Sequence, residues 1–463
     1  QAADVPFGWR IDGAHWGTQL GAQVTLSSPA DAIVSTHRPA SRSVAGSGDK
    51  AMTAKRIIII GLLTLVALAF LAVLGLAVLR EAPGTNSYAL MADGWLHGRL
   101  DVVGKCFDAD CAGFNGQNFV IFPPVPGVIA LPFVALFGVD FHHFVPLTIL
   151  AFALTGYLWF RIAAAQTAGS RDLTTLIVML ILFASPLFFV TLRGDHVWFY
   201  AQSWGFLFST AALYFAMIRK NAVLTGLFIG LAFLSRQMTI LYVPFLYVML
   251  LDEGTPWFRI DGKAILRAAR LMAFPIIAVA IYFAYNDLRF GSPLETGYAY
   301  IFPYATDHGP TAGFIAHRVQ DIGIFSRSYL LFNFIYMFIA GPHVQFTNQY
   351  LTQMGGFDAN GASIFLVTPA LLFAFLGRWD RAFWFGLATC AVILGLTLFY
   401  HSNGYSQYSA QRYALDWLPV LMIFVARGVK TELAPPLSLM MVYSMGVTLS
   451  MIVIGGLVTT TPL

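Results

Sequence analysis

Six side chains able to give or take a proton crowd the interval from Arg80 to Asn118: Glu81, Asp93, His97, Asp101, Asp108 and Asp110. Two of the three cysteines, Cys106 and Cys111, lie there as well. This is the first long polar interval after the first membrane-length apolar run, and carboxylates gathered just outside a membrane point to acid/base chemistry. In a helix Asp93 lies four residues before His97, so the two share a face. A second polar knot, Arg193-Gly194-Asp195-His196, is tied between two apolar runs, which holds its carboxylate near the membrane surface. A turn at a span end also needs polar residues, so that knot alone does not establish a role.

What positions these groups is a membrane scaffold. The chain has 463 residues, 58% hydrophobic and 11% charged, with a mean hydropathy of +0.70. A soluble domain carries roughly 25% charged residues, so too few remain here to solvate a surface. Continuous apolar runs of ~20 residues, rather than alternating ones, make the expected class an all-α polytopic membrane protein. The net charge of +4 is scattered among spans and short loops, which argues against nucleic acid and instead reports topology.

Residues 1–51 are polar and carry no apolar run, and read as a flexible or upstream extension; residues 52–463 read as the transmembrane domain. Lys55 and Arg56 hold the near end of Ile57–Leu79 in the cytoplasm, placing residues 80–142 outside as a first large loop. Tyr88–Leu96 is expected as an amphipathic interfacial helix, and Val125–Gly138 as a helix on or dipping into the outer face. This register keeps Arg161, Arg171, Arg219, Lys220, Arg259, Lys263, Arg267 and Arg270 inside. It gives about eleven spans and a second large outer loop, residues 289–361, with an apolar helix at Tyr329–Ala340. Cys106 and Cys111 flank an acidic turn and read equally well as a local disulfide or as two thiols, while Cys390 sits in an apolar run.

Several strings, in order, resemble the membrane-embedded glycosyltransferases of the GT-C superfamily, including the protein mannosyltransferase and aminoarabinose transferase families. They are Asn86-Ser87-Tyr88 through Leu96-His97-Gly98-Arg99-Leu100, Phe122-Pro123-Pro124-Val125-Pro126, and Gly226 through Gly230 to Ser235-Arg236. Tyr285-Asn286-Asp287-Leu288-Arg289 through Pro293, and Gln411-Arg412-Tyr413 running on to Leu418-Pro419, complete the set. The resemblance implies transfer of a sugar from a polyprenyl-phosphate donor to a lipid, glycan or protein acceptor, at the outer face of the cytoplasmic membrane. Such chemistry needs a carboxylate at the acceptor hydroxyl, and cations at the departing phosphate.

Many relatives carry an acidic residue just before the tyrosine that follows the first span; here Asn86 and Ser87 stand there. The acidic role then shifts to Asp93, with Asp101 or Glu81 as alternatives and Asp195 as the second carboxylate. Arg236 interrupts an apolar stretch, where a charge is paired, functional or snorkelling. Arg236 and Arg412 are the candidates for the donor phosphate, with Arg327 comparable and Tyr413, His97 and His196 beside them. The residues name no cofactor; a divalent cation held by His97, His196 and the acidic loop is the minority alternative, since no metal-ligand spacing occurs. A transporter or lipid flippase, and a non-catalytic scaffold of the same fold, are the rival readings. A transporter would place more of its charges at mid-span.

Overall fold

The Arg193–His196 turn, which carries the candidates Asp195 and His196, joins the end of one helix to the start of the next. In this computed structural model the described residues are 64–108, 111–252, 254–256, 260–301, 316–405 and 407–458. The expectation for residues 1–51 falls outside them.

Helix α1 (Thr64–Arg80) leads into the first loop. The loop carries α2 (Tyr88–Leu96), the hairpin β1 (Cys111–Phe114) and β2 (Gln117–Val120), and α3 (Val125–Phe137). The strands pair antiparallel, Cys111 opposite Val120 and Phe114 opposite Gln117, and a Cys106–Cys111 disulfide closes the segment before them. Helix α2 has the expected bounds but not the expected setting. Tyr88, Ala89, Leu90, Met91, Ala92 and Gly94 are all buried, because α2 packs on α3. At the crossing a Cβ on Gly127 would come within 2.8 Å of Met91 Sδ.

Then follow α4 (Phe144–Gln166), α5 (Arg171–Phe183), α6 (Pro186–Leu192) and α7 (Val197–Met217). Helices α5 and α6 form one apolar segment bent by 49°. The cause is local: Ser185 precedes a proline and is forced into extended backbone, and its Oγ accepts from Leu187 N to start α6 afresh. Helix α7 is buried on nearly every side. Its neighbour α8 (Ala222–Phe233) packs on α10 (Gly262–Phe290) through two glycines. A Cβ on Gly226 would lie 2.3 Å from Leu271 O and one on Gly230 3.2 Å from Phe274 O. Small residues four apart let membrane helices approach this closely. Between them, α9 (Val243–Leu250) continues from a tight turn at Gln237–Tyr242.

The second half adds helical turns over Arg327–Ile339, a hairpin of β3 (Val344–Thr347) and β4 (Gln353–Phe357), and apolar helices at Ile364–Leu376, Arg381–Leu398, Leu418–Gly428 and Ala434–Ile452. The chain is thus a mostly helical, multi-pass membrane protein. Helices stand at every expected span. Among the described residues four are long and apolar enough to cross alone, and the bent α5–α6 pair makes a fifth. The 12-residue α8 and 11-residue Leu418–Gly428 are shorter than a bilayer core. Val125–Phe137, 13 residues long, is likewise no full span.

Candidate active site

The turn Arg193–His196 is pinned from two sides. Thr148 of α4 donates its hydroxyl to Thr191 O at 2.8 Å, and a Cβ on Gly194 would sit 2.5 Å from Thr148 Oγ1, so only glycine fits. From the first loop, Asn86 donates Nδ2 to Gly194 O at 3.1 Å, while its Oδ1 accepts from Tyr88 N at 3.0 Å and starts α2. A carboxylate at this position could not donate to Gly194 O. Next to it, Ser87 and Asp108 bond reciprocally, Ser87 N to Asp108 Oδ2 at 2.8 Å and Asp108 N to Ser87 Oγ at 3.0 Å. A carboxylate from another segment therefore stands against the Asn86-Ser87 pair. Asp108 is 3% exposed, its Oδ1 without a hydrogen-bond partner among the described residues, and burial raises its pKa although His196 opposes this.

On the turn itself, Asp195 meets His196 Nδ1 at 3.0 Å and Arg193 Nε at 3.4 Å. Burial works against its charge, but the Arg193 guanidinium and His196 outweigh burial and hold the carboxyl down at about 2. Glu81, nearby, goes the other way. Its carboxylate caps α4, accepting from Phe144 N at 2.6 Å and Val145 N at 3.1 Å. Burial, helped by the Asp195 charge and opposed by those two N–H groups, pushes it up to about 8. Asp195 and Glu81 are thus shifted in opposite directions, a division typical of acid/base pairs.

A line of cations descends from the turn along the first turns of α7. The Arg193 guanidinium lies 5.5 Å from the Phe199 ring centre, and Arg412 lies 4.8 Å from the same ring. Tyr413 is likewise shared, 5.0 Å from Arg412 and 5.4 Å from Arg236. Arg412 is fixed by Nε to Gly404 O at 2.9 Å and Nη1 to Gln202 Oε1 at 3.0 Å. Arg236 bonds Asp416 Oδ1 at 3.1 Å and passes so close to α7 that a Cβ on Gly205 would meet its Cγ at 2.5 Å. Around the array stand Tyr88, Tyr200 and His401. His401 is 3% exposed, with no partner on either ring nitrogen among the described residues. It packs on Tyr400 and Tyr298 at 4.2 and 5.4 Å, and burial, then Arg318, lowers its pKa to about 3.

Of the expected site residues, Asp195, His196, Arg236, Arg412 and Tyr413 come together with Arg193. Asp93 and His97 do not touch them. Asp93, with its side chain 30% exposed, faces His97 at 3.5 Å and Arg99 at 3.9 Å, and Asp101 meets Arg99 from the other side. Arg327 is exposed at the start of the Arg327–Ile339 turns. Asp110 lies outside the described residues. Arg289, by contrast, is structural: it is 3% exposed and donates to Val120 O at 2.7 Å and Asn286 Oδ1 at 2.8 Å, tying α10 to β2. Among the described residues no group of three His, Cys, Asp or Glu could hold a metal ion.

Sequence reasoning assigned no role to Phe199, His401 or Asp416 and counted Asp108 only among the acids of the first loop. Asp416 had a signal: a charge within an apolar stretch asks for a partner, and Asp416 is the acid in the string that begins at Gln411. The other three had none, since their roles arise from contacts between distant segments.

No protein-family model matches the chain, and no curated protein matches it. Two crystal structures are similar, ArnT from Cupriavidus metallidurans bound to undecaprenyl phosphate, with a TM-score of 0.43, and the same protein in the apo state, with 0.42. Each is 13% identical over 80% of this chain, which spans 60% of the length of those structures.

Proposed function

We propose that the protein is a membrane glycosyltransferase that takes a sugar from a polyprenyl-phosphate carrier and transfers it to a lipid, glycan or protein hydroxyl at the outer face of the cytoplasmic membrane. The observation that carries this reading is the ring-bridged series Arg193, Arg412 and Arg236 beside an ionised Asp195. Three guanidiniums along one helix face suit a phosphate departing on an isoprenoid chain, and the flanking rings suit its apolar tail and a sugar.

In this reading Asp195 and His196 act together. A carboxyl held at about 2 is a poor proton acceptor at neutral pH, so Asp195 orients the imidazole and the imidazole takes the proton. The acceptor oxygen bonds the sugar's anomeric carbon as the carbon–oxygen bond to phosphate breaks with oxocarbenium character. The proton passes to His196, the imidazolium is held by Asp195, and the leaving phosphate keeps the bond's electron pair beside Arg193 and Arg412. Asp93, in its exposed cluster, is left without a part in the transfer. An outer location is supported by the Cys106–Cys111 disulfide in the first loop, which fits an oxidising compartment.

The test is transfer of radiolabel from a panel of polyprenyl-phosphate sugars to membrane lipid and glycan fractions by wild type, Asp195→Asn, His196→Asn and Asp93→Asn. Loss in the first two with Asp93→Asn active supports the assignment. Loss only in Asp93→Asn moves the base to the exposed cluster. No transfer from any donor overturns the enzyme reading in favour of a flippase or scaffold.

A further inference from the structure

At the far end of α7 and α8 from this site lies a second concentration of charge. Helix α7 is 21 residues long, about 32 Å, so the residues after Met217 sit roughly one bilayer core away from His196. There the α7–α8 turn and the first turns of α10 enclose a cleft of about 550 Å³, lined by Arg219, Lys220, Lys263, Arg267 and Arg270. Arg219, Lys263, Arg267 and Arg270 have no ion-pair partner among the described residues. Lys220 is anchored, its Nζ donating to Met249 O at 2.7 Å and Leu251 O at 3.2 Å. Helices α8 and α10 both begin at this end, capped by Asn221 and Asp261, and their N-terminal dipoles add to the positive potential.

The cleft is not purely polar. Val223 and Leu266 share its wall and are 40% and 49% exposed. Leu266 continues along α10 into apolar side chains open to lipid, Ile265 at 59%, Ile276 at 60% and Ile277 at 51%. A soluble anion would have no use for that rim, whereas acyl chains would lie along it. We propose that the cleft binds the headgroup of an anionic membrane phospholipid bearing two phosphates, its chains descending the exposed face of α10. Two phosphates match the number of cations better than one, since Arg219, Lys263, Arg267 and Arg270 have no ion-pair partner among the described residues. The assignment is independent of the sugar-transfer reading, because it concerns the opposite end of the helices.

The experiment measures binding of fluorescent tetraoleoyl diphosphatidylglycerol to the full chain in detergent, with dioleoyl phosphatidylcholine and inorganic pyrophosphate as competitors. The variants are Lys263→Gln/Arg267→Gln/Arg270→Gln, Arg267→Gln alone, and Arg378→Gln, an exposed arginine away from the cleft. At about 1 kcal/mol per basic residue near a lipid headgroup, the triple variant is expected to bind about a hundredfold more weakly and Arg267→Gln about fivefold. Arg378→Gln should bind as wild type, and neither competitor should displace the probe. Should the triple variant melt early, the single variant still decides. Unchanged binding in Arg267→Gln, an equal loss in Arg378→Gln, or displacement by phosphatidylcholine would overturn the proposal. Displacement by millimolar pyrophosphate would overturn the lipid in favour of a soluble phosphate.

Discussion

The molecule contains the same three side-chain types twice. In the first loop Asp93 faces His97 and Arg99; on the α6–α7 turn Asp195 faces His196 and Arg193. The first set meets at 3.5 and 3.9 Å with His97 64% exposed, and the second at 3.0 and 3.4 Å with all three side chains a quarter exposed or less. Water screens the first set and leaves it near the limit of a surface ion pair. Protein surrounds the second, so its charges act on one another and on Glu81. Residue type is therefore a weak guide to function, and surroundings decide.

The sharpest way to break this comparison is to neutralise each acid. Asp195→Asn should lower sugar transfer by about 10³-fold, as for a group whose charge organises the acid/base partner, while Asp93→Asn stays within about threefold of wild type. Similar losses in both would erase the distinction. Asn86→Asp should come next. It places a carboxylate against Gly194 O and costs about 3 kcal/mol, read as a lowered thermal midpoint with loss of activity. Arg412→Lys should reduce transfer about tenfold to a hundredfold, because one ammonium cannot reproduce the fork to Gly404 O and Gln202 Oε1.

A pH profile sharpens the contrast further. Glu81 is raised from 4.5 to about 8, so the folded state holds its proton where the unfolded chain has released it. Stability therefore falls as pH rises from 4.5 to about 8, and above about 8 a second negative charge appears beside Asp195. Activity should decline on that alkaline side, and Glu81→Gln should remove the decline; a limb that persists in Glu81→Gln belongs to another group. Smallest of all, Arg99→Ala should change stability by less than about 1 kcal/mol, measured by denaturant midpoint in detergent.

Much of the frame was legible in the chain, and the reasons are local. The bounds of α2 follow from a short apolar run between polar loops; the break at Ser185-Pro186, inside what reads as one continuous span, has its cause in backbone sterics but was not anticipated. The turn at Arg236 follows from a charge in an apolar stretch. What could not be read is pairing across distance. Arg236 finds Asp416 180 residues away, and Asn86 finds Gly194 108 residues away. The burial of α2 was missed for the same reason, since its cover, α3, comes from a separate run. Asp93 drew attention through its spacing to His97, which is a property of one helix. Asp108 carried no such spacing and became visible only when its partner, Ser87, was brought to it.

The glycine contact between α8 and α10 sets more than a packing distance. Because Gly226 and Gly230 meet the backbone at Leu271 and Phe274, the two helices cannot slide past each other by a turn, about 5.4 Å, without a steric clash. The height of Arg236 at one end and of Lys263 and Arg267 at the other is therefore locked, like the two jaws of a gauge. In a bilayer thinner or thicker than that fixed span, the pair must tilt as a body or the lipid must deform around it. Membrane thickness thereby becomes a variable to which the protein's orientation responds, while the spacing between its charged ends stays constant.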